Sequence, residues 1–467
     1  MNERHLAATP APHLLRPILR LQPIQAKPGT PSVDPNILAG HLDGVAEILP
    51  PIAVESPEHW GRLVRGLGSD VDAILPLSIP CYPTEVWNSH PQPLVDRKLP
   101  FLFWCLPAYD EPDFWRWSAR DFLASLGVEV YLVENRCHGL NLLRGLALRR
   151  QFAGARLAVF GVQNFPWNAH AAGAHLGRAL GLQVDVHDLD PVRERAAAIS
   201  DTEALALWQG RAASYRENGV ARPWLLTAIK TWIAIREVLE QTRALGFGVN
   251  CFGDLIPRGH RDVPCLAQVL AREEGYVAAC DGDFCCIASM ALMTHLTGRT
   301  CTMSNLYPVS YVGALREHFG DSLTPDRSRF APAEWANLAR LAHCGFTGVV
   351  SPEVADGPVM LRDWGGTYEI KRDGRGCGIE GDLPSGAITA VELKFDGQTL
   401  LAASGEVIET TSHPGLPHCE KSALLRFNNL PGFVRSISRE HPAIVYGDHT
   451  GDLCTVAPLL GLSLQVF

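Results

Sequence analysis

The run from Arg156 to Val186 restricts the possible folds more than any other part of the chain. It holds a short apolar strand, Arg156–Gly161, a polar loop, Val162–Asn168, a helical stretch from Ala169 to about Ala179, and a second strand, Leu182–Val186. Two short strands joined by a helix pair side by side and in parallel, because only a crossover of that length returns the chain to the same sheet edge. Ligands of such units bind beyond the carboxyl ends of the strands. The loop carrying Trp167 is therefore a candidate substrate-contacting segment.

The same alternation recurs on either side. Val71–Leu77, Leu99–Trp104 and Val128–Val133 read as buried strands, with a helical stretch at Asp113–Ser125. From about Pro223 to Ala244, Leu225, Ile229, Trp232 and Leu239 form a helical-period stripe that Arg236 interrupts. This helix is expected to stop at Gly246, with Phe247–Phe252 as the next strand. Residues 1 to about 35 are rich in proline and basic side chains and are expected to wrap a surface. After Cys344 the pattern changes to hairpins: strands at Ile388–Phe395 and Gln398–Ala402, with turn signals at Asp396-Gly397 and Gly405-Glu406. A chain of 467 residues exceeds one ordinary core. The expected fold is α/β, with two Rossmann-like parallel-sheet domains, residues 1–154 and 155–344, followed by a mainly β domain, residues 345–467.

Composition narrows the functional classes. A net charge of −9 signals no basic face, which argues against nucleic acid and anionic membrane as partners and leaves small metabolites open. No apolar run is long enough to span a bilayer, and the N-terminus lacks the apolar core of a signal peptide. The 13 cysteines include no C-x-x-C spacing, which disfavours zinc ribbons and thioredoxin-like motifs, and Cys105, Cys285 and Cys286 sit in apolar runs as small hydrophobes. A reducing, cytoplasmic compartment is the simplest reading.

Gly376-Cys377-Gly378-Ile379-Glu380-Gly381 matches a dinucleotide fingerprint in letters only. Asp382-Leu383-Pro384-Ser385-Gly386 follows it where a helix is required, so it reads as a glycine loop between strands. More informative is Ala279-Cys280-Asp281-Gly282-Asp283-Phe284, an acidic pair ahead of the dense apolar segment Cys285–Leu296. Asp281 and Asp283 read equally as a helix N-cap with a first-turn acid, for a helix starting near Phe284, or as carboxylates of a site. Inside a helix they would point apart, since residues two apart share no face.

The order of segments resembles the L-fucose isomerase and L-arabinose isomerase superfamily, in its diverged fucose-isomerase-like members. The residues that carry the resemblance are Gly248–Phe252, Val263–Ala267, Glu274–Asp283, Leu341–Gly345, Cys419 and Glu440–Asp448. The resemblance implies two α/β domains and a C-terminal β domain, assembled as identical subunits, with aldose–ketose interconversion on a sugar or sugar derivative. It also implies Mn²⁺, or another divalent metal, held by two carboxylates and a histidine. By position these fall at Asp281, Asn305 and His441, with Asp281 and Asp283 as catalytic acids or bases and His343, Trp167 and Trp364 toward substrate. An oxygen-rich cage suits such a hard cation, which chelates neighbouring sugar oxygens while a carboxylate moves a proton between adjacent carbons. The chain departs from the family at Asn305, whose neutral amide ligates through oxygen but cannot carry a proton. Asp283, Glu353, Asp363 and Asp448 are carboxylates that could replace the missing one. Two alternatives follow: an enzyme of the same fold without the metal, using Cys280, Cys301 or Cys344, or a non-catalytic sugar-binding relative.

Overall fold

The computed structural model describes residues 10–26, 34, 39–40, 42, 44–77, 86–104, 116–163, 166–258, 263–311, 324–343, 350–363, 376–413 and 421–467. The chain is mixed α/β, with parallel-sheet regions and a C-terminal antiparallel sheet. It divides into two compact units: Arg16–Arg150, and Gln151–Phe467 together with the described residues 10–15.

The first unit is a parallel sheet of β1 (Leu19–Ala26), β2 (Ala46–Ile48), β3 (Ile52–Val54), β4 (Ala73–Pro76), β5 (Phe101–Phe103) and β6 (Val130–Leu132). The expected strands near 71–77, 99–104 and 128–133 are β4, β5 and β6, and the expected helix runs Arg116–Ser125 among the described residues. The expectation that residues 1 to about 35 only wrap a surface is corrected by β1. This strand lies inside the sheet, with Leu21 and Ile24 fully buried. Pro23 hid it, because a proline removes a ladder donor and argues against an interior strand. The chain solves this locally. Residues 19–21 of β1 pair with β2 and residues 24–26 with β3, so Pro23 falls where one partner hands over to the next. The Gln22 amide donates to Pro23 O at 3.0 Å and Pro50 O at 2.9 Å, satisfying carbonyls left by the gap.

The second unit carries the four-stranded parallel sheet β11-β10-β7-β8, from β7 (Arg156–Phe160), β8 (Gln183–His187), β10 (Ala244–Val249) and β11 (Val277–Cys280). β9 (Tyr215–Glu217) lies outside it. The strand–helix–strand run at 156–186 forms as expected: Asn168 caps the helix Ala169–Leu180, and β7 and β8 pair in parallel. Helix Arg222–Thr242 buries Leu225, Ile229, Trp232 and Leu239. Arg236 breaks this stripe in order to reach Glu274, whose carboxylate also takes Trp232 Nε1 at 3.0 Å. The helix ends at Arg243, at φ 56, rather than at Gly246; β10 begins at once, and Cys251–Leu255 is a helical turn rather than strand.

The antiparallel sheet follows. Its path is β12-β20-β17-β18-β19-β14-β13, with β21 pairing β18. The strands are β12 (Thr302–Met303), β13 (Asn305–Pro308), β14 (Leu338–Ala342), β17 (Gly386–Leu393), β18 (Thr399–Ser412), β19 (Lys421–Phe427), β20 (Ala443–Tyr446) and β21 (Ser463–Val466). Asp396-Gly397 makes the expected turn between β17 and β18. Gly405-Glu406 does not turn; β18 runs through it paired on both edges, and a Cβ at Gly405 would stand 2.6 Å from Arg426 O of the neighbouring strand. There glycine serves close strand approach. β15 (Val359–Asp363), β16 (Cys377–Glu380) and β9 form a small third sheet. The glycine motif at 376–381 is thus largely antiparallel strand, with no helix after it.

Between the parallel and antiparallel sheets lies helix Phe284–Thr297. It is apolar all round, and every residue from Phe284 to Leu296 is buried. It packs on β7, β10 and β11 as well as on β17 and β20. This placement brings its N-terminus, and the acidic pair, to the seam between the sheets.

Candidate metal centre

β11 ends at Cys280, and the chain must turn sharply to enter the buried helix at Phe284. Asp281 at φ 57 and Gly282 at φ 71 make that turn in the left-handed region. Aspartate tolerates this conformation better than most residues, and such backbone strain clusters at functional sites. A Cβ at Gly282 would come within 3.2 Å of Val159 Cγ1 and 3.3 Å of Asn250 Cβ. Asp283 then caps the helix, its Oδ1 accepting from Cys286 N at 2.9 Å. Both readings of the acidic pair therefore meet here. Asp283 is the N-cap, and since neither residue is in the helix, both carboxylates reach His441.

His343 directly follows β14, and His441 lies two residues ahead of β20. The two imidazoles and Asp281 converge, each offering one ligand atom within 4.8 Å of the others, and all three are buried. Asp281 Oδ2 stands 3.5 Å from His343 Nε2 and 3.6 Å from His441 Nε2. These separations are long for hydrogen bonds. Donors on one ion at about 2.1 Å, at near-tetrahedral angles, stand roughly 3.4 Å apart. The spacing fits a shared cation better than direct pairing, and two imidazoles with one carboxylate suit a divalent transition metal.

His441 is oriented from behind. Its Nδ1 faces Asp283 Oδ2 at 3.3 Å, leaving Nε2 toward Asp281. Trp167 stacks on the imidazole, ring centroids 5.1 Å apart and 23° from parallel. Arg439 Nε contacts Asp283 Oδ2 at 2.8 Å, and its Nη1 lies 3.4 Å from Glu392 Oε1 on β17; all three side chains are completely buried. Burial pushes the Glu392 carboxyl up despite Arg439. At Asp281 burial also acts upward, but His343, His441 and the Cys251 thiol together hold its carboxyl below the usual range.

The resemblance placed the metal on Asp281, Asn305 and His441, and His343 toward substrate. The structure brings Asp281 and His441 together with His343 as the third donor. Asn305 opens β13 opposite Ala342, next to His343. Its Nδ2 donates to Tyr307 Oη at 2.9 Å, while its Oδ1 is buried with no hydrogen-bond donor among the described residues. Asp283 supports His441. The other carboxylates are engaged elsewhere: Glu353 accepts from Thr300, Asp363 Oδ1 from Ala221 N at 3.1 Å, and Asp448 Oδ1 from Thr450. Trp364, Cys344 and Cys419 lie outside the described residues. Cys280 is buried, its thiol 3.1 Å from Gln268 Oε1, and Cys301 is buried as well. Sequence reasoning missed Arg439 and Glu392. The one available signal was an arginine two positions before the histidine, too common to stand out.

No protein-family model and no curated protein matches this chain. Among the described residues no helix is long and apolar enough to cross a membrane.

Proposed function

We propose that this protein is a metal-dependent enzyme that interconverts an aldose and a ketose, with a divalent cation on Asp281, His343 and His441. The observation that carries the reading is that Asp281, at the carboxyl end of parallel strand β11, stands 3.5 Å and 3.6 Å from two buried imidazoles supplied by the antiparallel sheet, His343 beside β14 and His441 ahead of β20. When bound, such a cation supplies Lewis-acid polarisation of two neighbouring substrate oxygens, which acidifies the C–H beside the carbonyl. The chain supplies the rest. Asp281 Oδ2 faces both histidines, whereas among the described residues Oδ1 meets only the weak thiol donor of Cys251 at 3.7 Å. Oδ1 is therefore the atom placed to take a proton from one carbon and return it to the next. Trp167 Nε1 and Asn305 Oδ1 are a buried donor and a buried acceptor that lack partners among the described residues, a pair suited to substrate hydroxyls. Asn305 cannot relay a proton, so the proton transfer falls to Asp281.

The test is interconversion of a panel of aldoses, ketoses and their phosphates and acids, with Mn²⁺, Co²⁺, Mg²⁺ or Zn²⁺ added. Turnover of at least one pair, lost on chelation and reduced in His441→Ala by more than the ~10–100-fold cost of losing a supporting residue, is expected. No turnover across the panel with any of these ions would overturn the reading.

A further inference from the structure

Arg439 pairs with Asp283 and Glu392 rather than with the three donors, yet it is a fully enclosed charge beside them. Its side chain is completely buried, as are those of Asp283 and Glu392. Burying a guanidinium with two carboxylates is costly unless their geometry is used. The contacts form one line across three elements: Glu392 on β17, Arg439 in the segment before β20, Asp283 at the helix N-cap, then His441. Glu392 Oε1 also accepts Ser438 N at 2.7 Å, and Arg439 Nη1 donates to Leu393 O at 2.9 Å, so β17 holds the guanidinium through Nη1 while Nε faces Asp283. Its guanidinium lies over Phe395, 5.5 Å from the ring centroid. Asp283 divides its oxygens: Oδ1 accepts from Cys286 N, while Oδ2 faces Arg439 and His441. A carboxylate fixed in this way can hold a proton on only one imidazole nitrogen, Nδ1, which leaves the Nε2 lone pair toward the cation position.

We propose that Arg439 and Glu392 are positioning residues, acting through Asp283 to fix the tautomer and ring plane of His441 as a metal ligand. The proposal rests on the metal-centre reading above. The line explains why a salt bridge without substrate contact is enclosed beside the site. It also explains why the helix cap is aspartate, since asparagine caps equally well but is a poorer acceptor for Nδ1–H.

The test compares the full chain with Asp283→Asn, which keeps the cap, and with the double variant Arg439→Met/Glu392→Gln, which removes one charge of each sign. Co²⁺ affinity and visible spectrum are read on all three, with the thermal midpoint as a folding control. In the metal-free proteins, ¹⁵N shifts of His441 report the tautomer. Expected are one Co²⁺ per chain in the unsubstituted protein, about 10–100-fold weaker binding with an altered spectrum in both variants, and loss of the single Nδ1–H tautomer. Unchanged affinity, spectrum and tautomer in folded variants would overturn the positioning role while leaving the metal centre standing. An unsubstituted protein that binds no Co²⁺ would overturn both. If the double variant does not fold, the single variants Arg439→Lys and Glu392→Gln decide by the same readings.

Discussion

Glu273 carries a charge problem of its own, away from the metal centre. Its carboxylate is buried beside Tyr215, whose hydroxyl donates to Oε1 at 2.8 Å, and Arg211 stands 3.4 Å from Oε2. Burial is the largest influence and outweighs both partners, lifting Glu273 to about 7. In the unfolded chain a glutamate titrates near 4.3, so between about pH 4.3 and 7 the folded chain binds more protons. The contribution of Glu273 to stability is therefore fully present below that window and is lost as pH rises through 7. In Glu273→Gln this dependence disappears. Urea unfolding of the two proteins should diverge by roughly 1–3 kcal/mol in favour of the variant between pH 4.5 and 7.5. Parallel curves would show that the carboxyl is not raised. Sequence reading could name Asp281 and His441 because a resemblance aligned them. It could not foresee the environments of Glu273 or Arg439, because burial of a charge depends on residues distant in the chain.

At the scale of elements, the turn between β11 and helix Phe284–Thr297 decides the site. Gly282→Ala puts a side chain on a left-handed residue and crowds Val159 and Asn250. It should cost about 1–3 kcal/mol and weaken metal binding with it. Gly298, at φ 70 beyond the other end of the same helix, meets nothing within 4 Å, so Gly298→Ala should cost only the backbone preference, about 1 kcal/mol. Equal losses in thermal unfolding would show that Val159 and Asn250 do not crowd residue 282. The helix itself was legible, since a buried apolar run after an aspartate cap has a local signature. β1 was not, because Pro23 masks a strand whose gap is filled only by Gln22 and the switch of partner strands.

Across the whole molecule, cysteine chemistry separates surface from interior. Cys137 and Cys454 are exposed, whereas Cys251, Cys280, Cys285, Cys286, Cys301 and Cys377 are buried. Burial pushes the thiols of Cys285, Cys286 and Cys377 up, away from the reactive thiolate. Alkylation of the native protein followed by peptide mass spectrometry should mark Cys137 and Cys454 and spare those six until the chain unfolds. Early labelling of Cys285 or Cys286 would contradict the burial of the central helix. The sequence by itself determined the alternation of parallel strands and helices from β4 to β8 and the buried helix after Asp283, because alternation and helical period are properties of neighbouring residues, but not β1 or the helical turn at Cys251–Leu255. It also singled out the acidic pair, which read equally as a helix cap and as site carboxylates. Only the tertiary structure decided that His343 joins Asp281 and His441 beside Asn305, and that Asp283 serves His441 from behind. Residues 281, 343, 392, 439 and 441 belong to separate segments, and what they become depends on two sheets closing over one buried helix.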